Sequence, residues 1–202
     1  MVENSLTHLF NRSYILLKIN AYFLFFCLFG GIILGIGPAI YTAFSLFYSF
    51  HWEKTGYSYT NAWKIYRGCF IKTNKLTILF LAVFFLLTVN LWIAAQLKGL
   101  YFFGLTFFLF FILVMLVSLW IHSLFYQMKT SLCLKNLLKF SLASLFSSAG
   151  KWVKEIIGSL FLVFMMWKYP GAGFFWGFGG ILVYQAVMLE KKTLWFENLM
   201  ES

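Results

Sequence analysis

The chain has 202 residues, of which 62% are hydrophobic, 23% aromatic and only 11% charged. Soluble domains carry roughly a quarter charged residues, so the composition excludes an ordinary soluble domain and predicts an all-α, polytopic transmembrane helical bundle. Sixteen Lys and Arg against six Asp and Glu give a net charge of +10. No element from which nucleic-acid-binding folds are built accompanies that charge, so it reads as membrane topology and contact with anionic lipid, not nucleic acid.

Residues 1–18 predict a short amphipathic helix on the membrane surface. Arg12 and Lys18 then precede an apolar run that is too long for a signal peptide and lacks a small-residue cleavage site, so an uncleaved first span is expected. That run, 19–50, is the organising stretch of the sequence. Its small residues Gly31, Gly35, Ala39 and Ala43 recur every fourth position, with Gly37 and Pro38 between them. This spacing predicts one helix face for close helix packing, and Pro38 predicts a kink or break. At 32 residues the run is long for one crossing. One kinked span is the reading taken. Two crossings, and a broken helix lining a cavity, are its alternatives.

The segment 51–75 is basic. Lys64, Arg67, Lys72 and Lys75 lie among Trp63, Tyr66 and Phe70 at helical spacing, with Thr60 and Asn61 as candidate caps. This predicts a basic interfacial helix touching lipid headgroups. Spans at 76–97 and 100–126 follow, joined so tightly at Lys98-Gly99 that they must be antiparallel neighbours. A second basic segment holds Lys135, Lys139, Lys151 and Lys154, again as headgroup contacts beside an interfacial helix. The order span, basic helix, span thus occurs twice, a weakly matched internal repeat. Apolar runs at 152–168 and 172–189 complete about five spans, separated by the turn signal Tyr169-Pro170-Gly171. The first of these is short unless its lysines snorkel; as a re-entrant hairpin the pair leaves the C-terminus on the basic side. The two basic loops and the tail hold twelve basic residues and the other side four. The expectation is a plasma-membrane protein with those loops and the C-terminus cytoplasmic and the N-terminus outside.

Polar residues inside the runs are where chemistry would sit. Asn90 and Gln185 read as interhelical hydrogen-bond formers. His122 is the one histidine within a span, and with Glu155 and Glu190 at span ends it reads as packed and without a carboxylate partner in the membrane. Cys27, Cys69 and Cys133 are scattered and form no metal or disulfide pattern. No nucleophile–base pair, phosphate loop or metal spacing appears, so no catalytic, cofactor or metal residue is named and an enzyme is not expected.

Gly37-Pro38-Ala39 in the first span, then Trp63, Tyr66 and Phe70, then Lys72-Thr73-Asn74 before the next span resemble the layout of a bacterial membrane family typified by YesL. The resemblance covers most of the chain as layout and rests on short motifs. It implies an integral membrane protein of unknown molecular function that assists carbohydrate uptake. The expected function is accordingly an accessory or scaffold component in contact with a membrane transport complex or a second copy. A small transporter or channel subunit is the alternative.

Overall fold

The computed structural model describes residues 2–130, 132–147 and 149–201, with side chains described over 7–130, 132–147 and 150–193. Among these residues every element is helical. The long helices pair as three antiparallel hairpins.

The first hairpin is α1 (Val2–Phe29) and α2 (Ile33–Phe50). The expected surface helix and the start of the first span are therefore one helix, and the 19–50 run is two helices instead of a single kinked span. The break lies at Gly30–Ile32, not at Pro38. Gly31 adopts φ +72°, its N–H bonds to Leu28 O at 3.1 Å, and the Ile32 N–H bonds to Cys27 O at 2.8 Å. This is a Schellman cap, with a glycine in the left-handed position that a side chain disfavours. The chain reverses and lays α2 along α1, so that Gly35 meets the backbone of Cys27. Pro38 sits inside α2 without ending it. It removes one backbone donor close to the helix start, and its own carbonyl accepts from Thr42 Oγ1 at 2.8 Å and from Cys69 Sγ at 3.9 Å.

The connection to the next hairpin carries a short 3₁₀ turn, Lys54–Gly56. Tyr57 is fully buried there and donates to His51 O; burial pushes its phenol pKa up. The Tyr57 carbonyl accepts from Lys18 Nζ at 2.9 Å and Tyr22 Oη at 3.0 Å, tying the loop to α1.

The second hairpin is α3 (Tyr59–Gln96) and α4 (Leu100–Lys129). The expected interfacial helix is the first half of α3 and not a separate element. Its N-cap is Ser58, whose hydroxyl pairs with Thr60 Oγ1 at 2.8 Å. At 38 residues α3 is about 57 Å long, against about 30 Å for a hydrocarbon core. Gly99, at φ 132°, makes the tight link. Gln127 Nε2 donates to Lys72 O at 3.4 Å, which sets the register: the last two turns of α4 lie beside the stretch of α3 that ends its basic half.

Then come α5 (Leu134–Phe146) and the third hairpin: α6 (Ala149–Lys168), a short opening turn α7 (Pro170–Ala172), a π-helical turn Gly173–Gly177, and α8 (Phe178–Glu201). The turn falls at Tyr169-Pro170-Gly171 as the sequence predicts. α8 packs on α1, α2 and α6; Gly179 N–H donates to Asn20 Oδ1 and Asn20 Nδ2 donates to Phe174 O. Among the described residues five helical stretches are long and apolar enough to cross a membrane: Thr7–Phe29, Ile33–Phe50, Tyr59–Gln96, Leu100–Lys129 and Pro170–Thr193. The predicted span at 152–168 is not among them, because Lys151, Lys154 and Glu155 occupy the first turns of α6.

Candidate functional site

The most unusual arrangement joins the third hairpin to α4. His122 lies in the last turns of α4, Glu155 in the second turn of α6 and Lys192 late in α8. Their residue exposures are 0%, 2% and 1%. His122 Nε2 donates to the Glu155 carboxylate, with both oxygens at 3.1 Å, and Lys192 Nζ donates to Glu155 Oε2 at 2.9 Å. Lysine and glutamate are almost never fully buried unless paired. Here each cancels the other's charge, and the imidazole N–H supplies a further donor to the carboxylate. The sequence reading that His122 has no carboxylate partner is thereby corrected. Glu155 does stand near the start of its helix, but the antiparallel register of α6 and α8 turns it inward.

That register is held along the hairpin. Tyr184 Oη donates to Lys154 O at 2.9 Å, Gln185 Nε2 donates to Ser159 Oγ at 2.7 Å, and Gly173 packs on Met166. Gln185 is therefore the interhelical hydrogen-bond former its position suggested. Asn90 is not: its Nδ2 donates to Leu86 O of its own helix at 2.7 Å. Around the trio, Tyr126 Oη pairs with Ser144 Oγ at 2.6 Å, linking α4 to α5. His122 Nδ1 and Ser123 Oγ are buried without a hydrogen-bond partner among the described residues. His51 Nε2 and Glu190 Oε1, 3.2 Å apart at the surface, join the end of α2 to α8. Four elements thus converge on one buried carboxylate and its neighbours. Chemically the trio can hold three helices in register, or hold and pass a proton.

The residues singled out for helix packing divide. Gly35, Gly37, Pro38, Ala39 and Ala43 are buried in α2. Gly35 faces α1, and Gly37 faces Thr77 of α3. Gly31 does not belong to the face: it is exposed in the reversing turn, with open space around it. The basic residues are at the surface: Lys64, Arg67, Lys72, Lys75, Lys135, Lys139 and Lys154 are exposed and Lys151 is half-buried. Lys72 and Lys75 stand where the exposed face of α3 changes from basic to apolar, followed by Ile78 and Leu79.

A polar seam between α2 and α3 was not anticipated. Thr42, Thr73 and Thr77 are all buried around Pro38 and Cys69. Thr73 Oγ1 donates to Cys69 O at 2.7 Å. The hydroxyls on the α3 face at Thr73 and Thr77, four residues apart, were a readable signal.

No curated protein and no solved structure matches the chain. Over residues 16–91 it matches a family model described as "Protein of unknown function, DUF624". The match takes in the second half of α1, all of α2 and α3 up to its distal end, with the Schellman turn, Gly37-Pro38 and the Pro38–Cys69 seam. His122, Glu155 and Lys192 lie beyond it. Over that first portion the chain is similar to a family of unknown function, and its apolar helices fit a membrane protein.

Proposed function

We propose that this is a non-enzymatic, multi-pass plasma-membrane protein that serves as an accessory or scaffold component of carbohydrate uptake, docked on a membrane transport complex. The observation carrying the scaffold reading is the contrast between a sealed polar core and a large exposed apolar hairpin. From Leu81 to Ile93 in α3 and from Leu100 to Phe111 in α4, most large side chains are exposed, including Phe85, Trp92, Tyr101 and Phe107. Such surface is stable in lipid or against another membrane protein. The carbohydrate assignment rests on the likeness in layout to the YesL-typified family.

The orientation follows the charge. The hydrogen bonds of Glu155 put the late part of α8 at the same end of the molecule as the last turns of α4, so the tail and the second basic segment share a side. The excess of basic residues makes that side cytoplasmic. Lys18 of α1 bonds the Tyr57 carbonyl beyond the end of α2, so the two-helix form of the 19–50 run brings the early part of α1 to that side too. A cytoplasmic N-terminus replaces the expected outside one. Reporter fusions after Thr73 and at the C-terminus should read cytoplasmic, and one after Lys98 external.

The buried trio favours one second reading, a small transporter subunit in which Glu155 exchanges a proton. One experiment separates the two. The protein is cross-linked in membranes, purified in mild detergent and analysed for partners, while sugar uptake is measured in cells lacking it. Recovery of a carbohydrate permease, with reduced uptake in the deletion, supports the scaffold. Sugar or proton flux by the purified protein alone in liposomes overturns it in favour of the transporter.

A further inference from the structure

Where α3, α4 and α5 meet there is a groove of about 340 Å³. Leu79, Phe80 and Val83 of α3, Leu116 and Leu119 of α4, and Leu138 and Leu142 of α5 line it, and Lys139 closes its edge. The groove is otherwise apolar, and it opens where α3 changes from a basic to an apolar face. Lys72, Leu79 and Val83 stand at i, i+7 and i+11, one side of the helix, so Lys72 precedes the groove on its own face and Lys75 stands one turn before Leu79. Lys72, Lys75 and Lys139 are exposed. Two different helices therefore bring exposed lysines to an apolar slot, Lys139 in its lining and Lys72 two turns before it on α3.

We propose that this groove is a binding site for one anionic phospholipid, its acyl chain along Leu79, Leu116, Leu119 and Leu142 and its phosphate held by Lys139 and Lys72. Charge complementarity selects the occupant. A transmembrane helix would fill the slot without using the lysines, and a zwitterionic lipid would offer them a phosphate with its own cation attached. The depth is also right, because a headgroup belongs at the turn of helix where charge gives way to hydrocarbon. The site goes beyond a diffuse basic surface in that Lys64 and Arg67, further back on α3, take no part.

The test uses the full chain, purified in detergent, stripped of lipid and titrated with phosphatidylglycerol or phosphatidylcholine while native mass spectrometry counts bound lipid. Phosphatidylglycerol should bind at least tenfold more tightly. Each of Lys72→Gln and Lys139→Gln should weaken it about fivefold, the effect of about one surface charge. Leu142→Trp, at the exposed rim, should block both lipids, and Lys64→Gln with Arg67→Gln should change nothing. Thermal melting confirms that each variant is folded. Equal binding of the two lipids, no loss in the lysine variants, or an equal loss with Lys64→Gln and Arg67→Gln overturns the proposal. Retention of both lipids by Leu142→Trp does so as well.

Discussion

The two halves of α3 show two ways of satisfying an apolar sequence. From Ala62 to Phe80, buried positions recur at helical spacing: Ala62, Tyr66, Cys69, Thr73, Leu76, Thr77 and Phe80. This half is packed by protein, on α1 through the stack of Tyr66 on Phe26 and on α2 through Gly37. Beyond Phe80 the periodicity vanishes. Side chains are apolar all round and nearly all exposed, and α4 repeats the pattern on the opposite strand of the hairpin. In the first half, buried polar groups sit against specific neighbours: Tyr66 Oη donates to Phe26 O and Thr73 Oγ1 to Cys69 O. In the second, lipid supplies the environment and few specific contacts fix any residue. Substitutions should therefore be costly in the packed region and mild in the exposed one.

The largest effect is expected at Glu155. Glu155→Gln leaves Lys192 buried without its counter-charge, and breaking such a pair costs about 3–5 kcal/mol. Melting in detergent should fall far more than for any exposed lysine changed to glutamine. Next comes Gly35. Leucine there meets the α1 backbone at Cys27, which cannot yield as a side chain does, so Gly35→Leu should cost about 1–3 kcal/mol. Ile36→Leu, a near-isosteric neighbour, should cost clearly less. If Gly35→Leu leaves melting intact but loses a partner in a pull-down, the small-residue face is a docking surface. Gly31→Ala should cost about 1 kcal/mol through the left-handed backbone alone, since open space surrounds it. The smallest effect is expected in the exposed hairpin. Phe85→Leu should shift detergent stability by less than about 0.5 kcal/mol, and a larger shift would mean that this surface is packed by protein.

Much of this arrangement is legible in the sequence. The charge-free runs of α3 and α4, their tight link and the turn at Tyr169-Pro170-Gly171 all follow from composition and punctuation. What escaped has physical causes. The four-residue repeat of small residues continues from Gly31 across a helix end, so periodicity alone placed Gly31 on a face where a reversal stands. Gly30-Gly31 is itself a helix-stop signal, but within so apolar a run Pro38 is the more obvious breaker. Early in α2 it costs a single hydrogen bond. For the trio, separations of 33 and 37 residues hide the pairing. Glu155 stands beside Lys154 at the edge of an apolar run, where a charge ordinarily faces water. Only the register of α6 against α8 turns it toward His122 and Lys192.

The central claim is that His122, Glu155 and Lys192 act as one unit holding α4, α6 and α8 together. A double-mutant cycle tests it most directly. Glu155→Gln, Lys192→Met and the pair are purified in the same detergent and their unfolding free energies compared. The account predicts that Lys192→Met rescues part of the loss caused by Glu155→Gln, leaving the double variant more stable than the sum of the single losses by at least about 1 kcal/mol. Simple additivity of the two losses would contradict it.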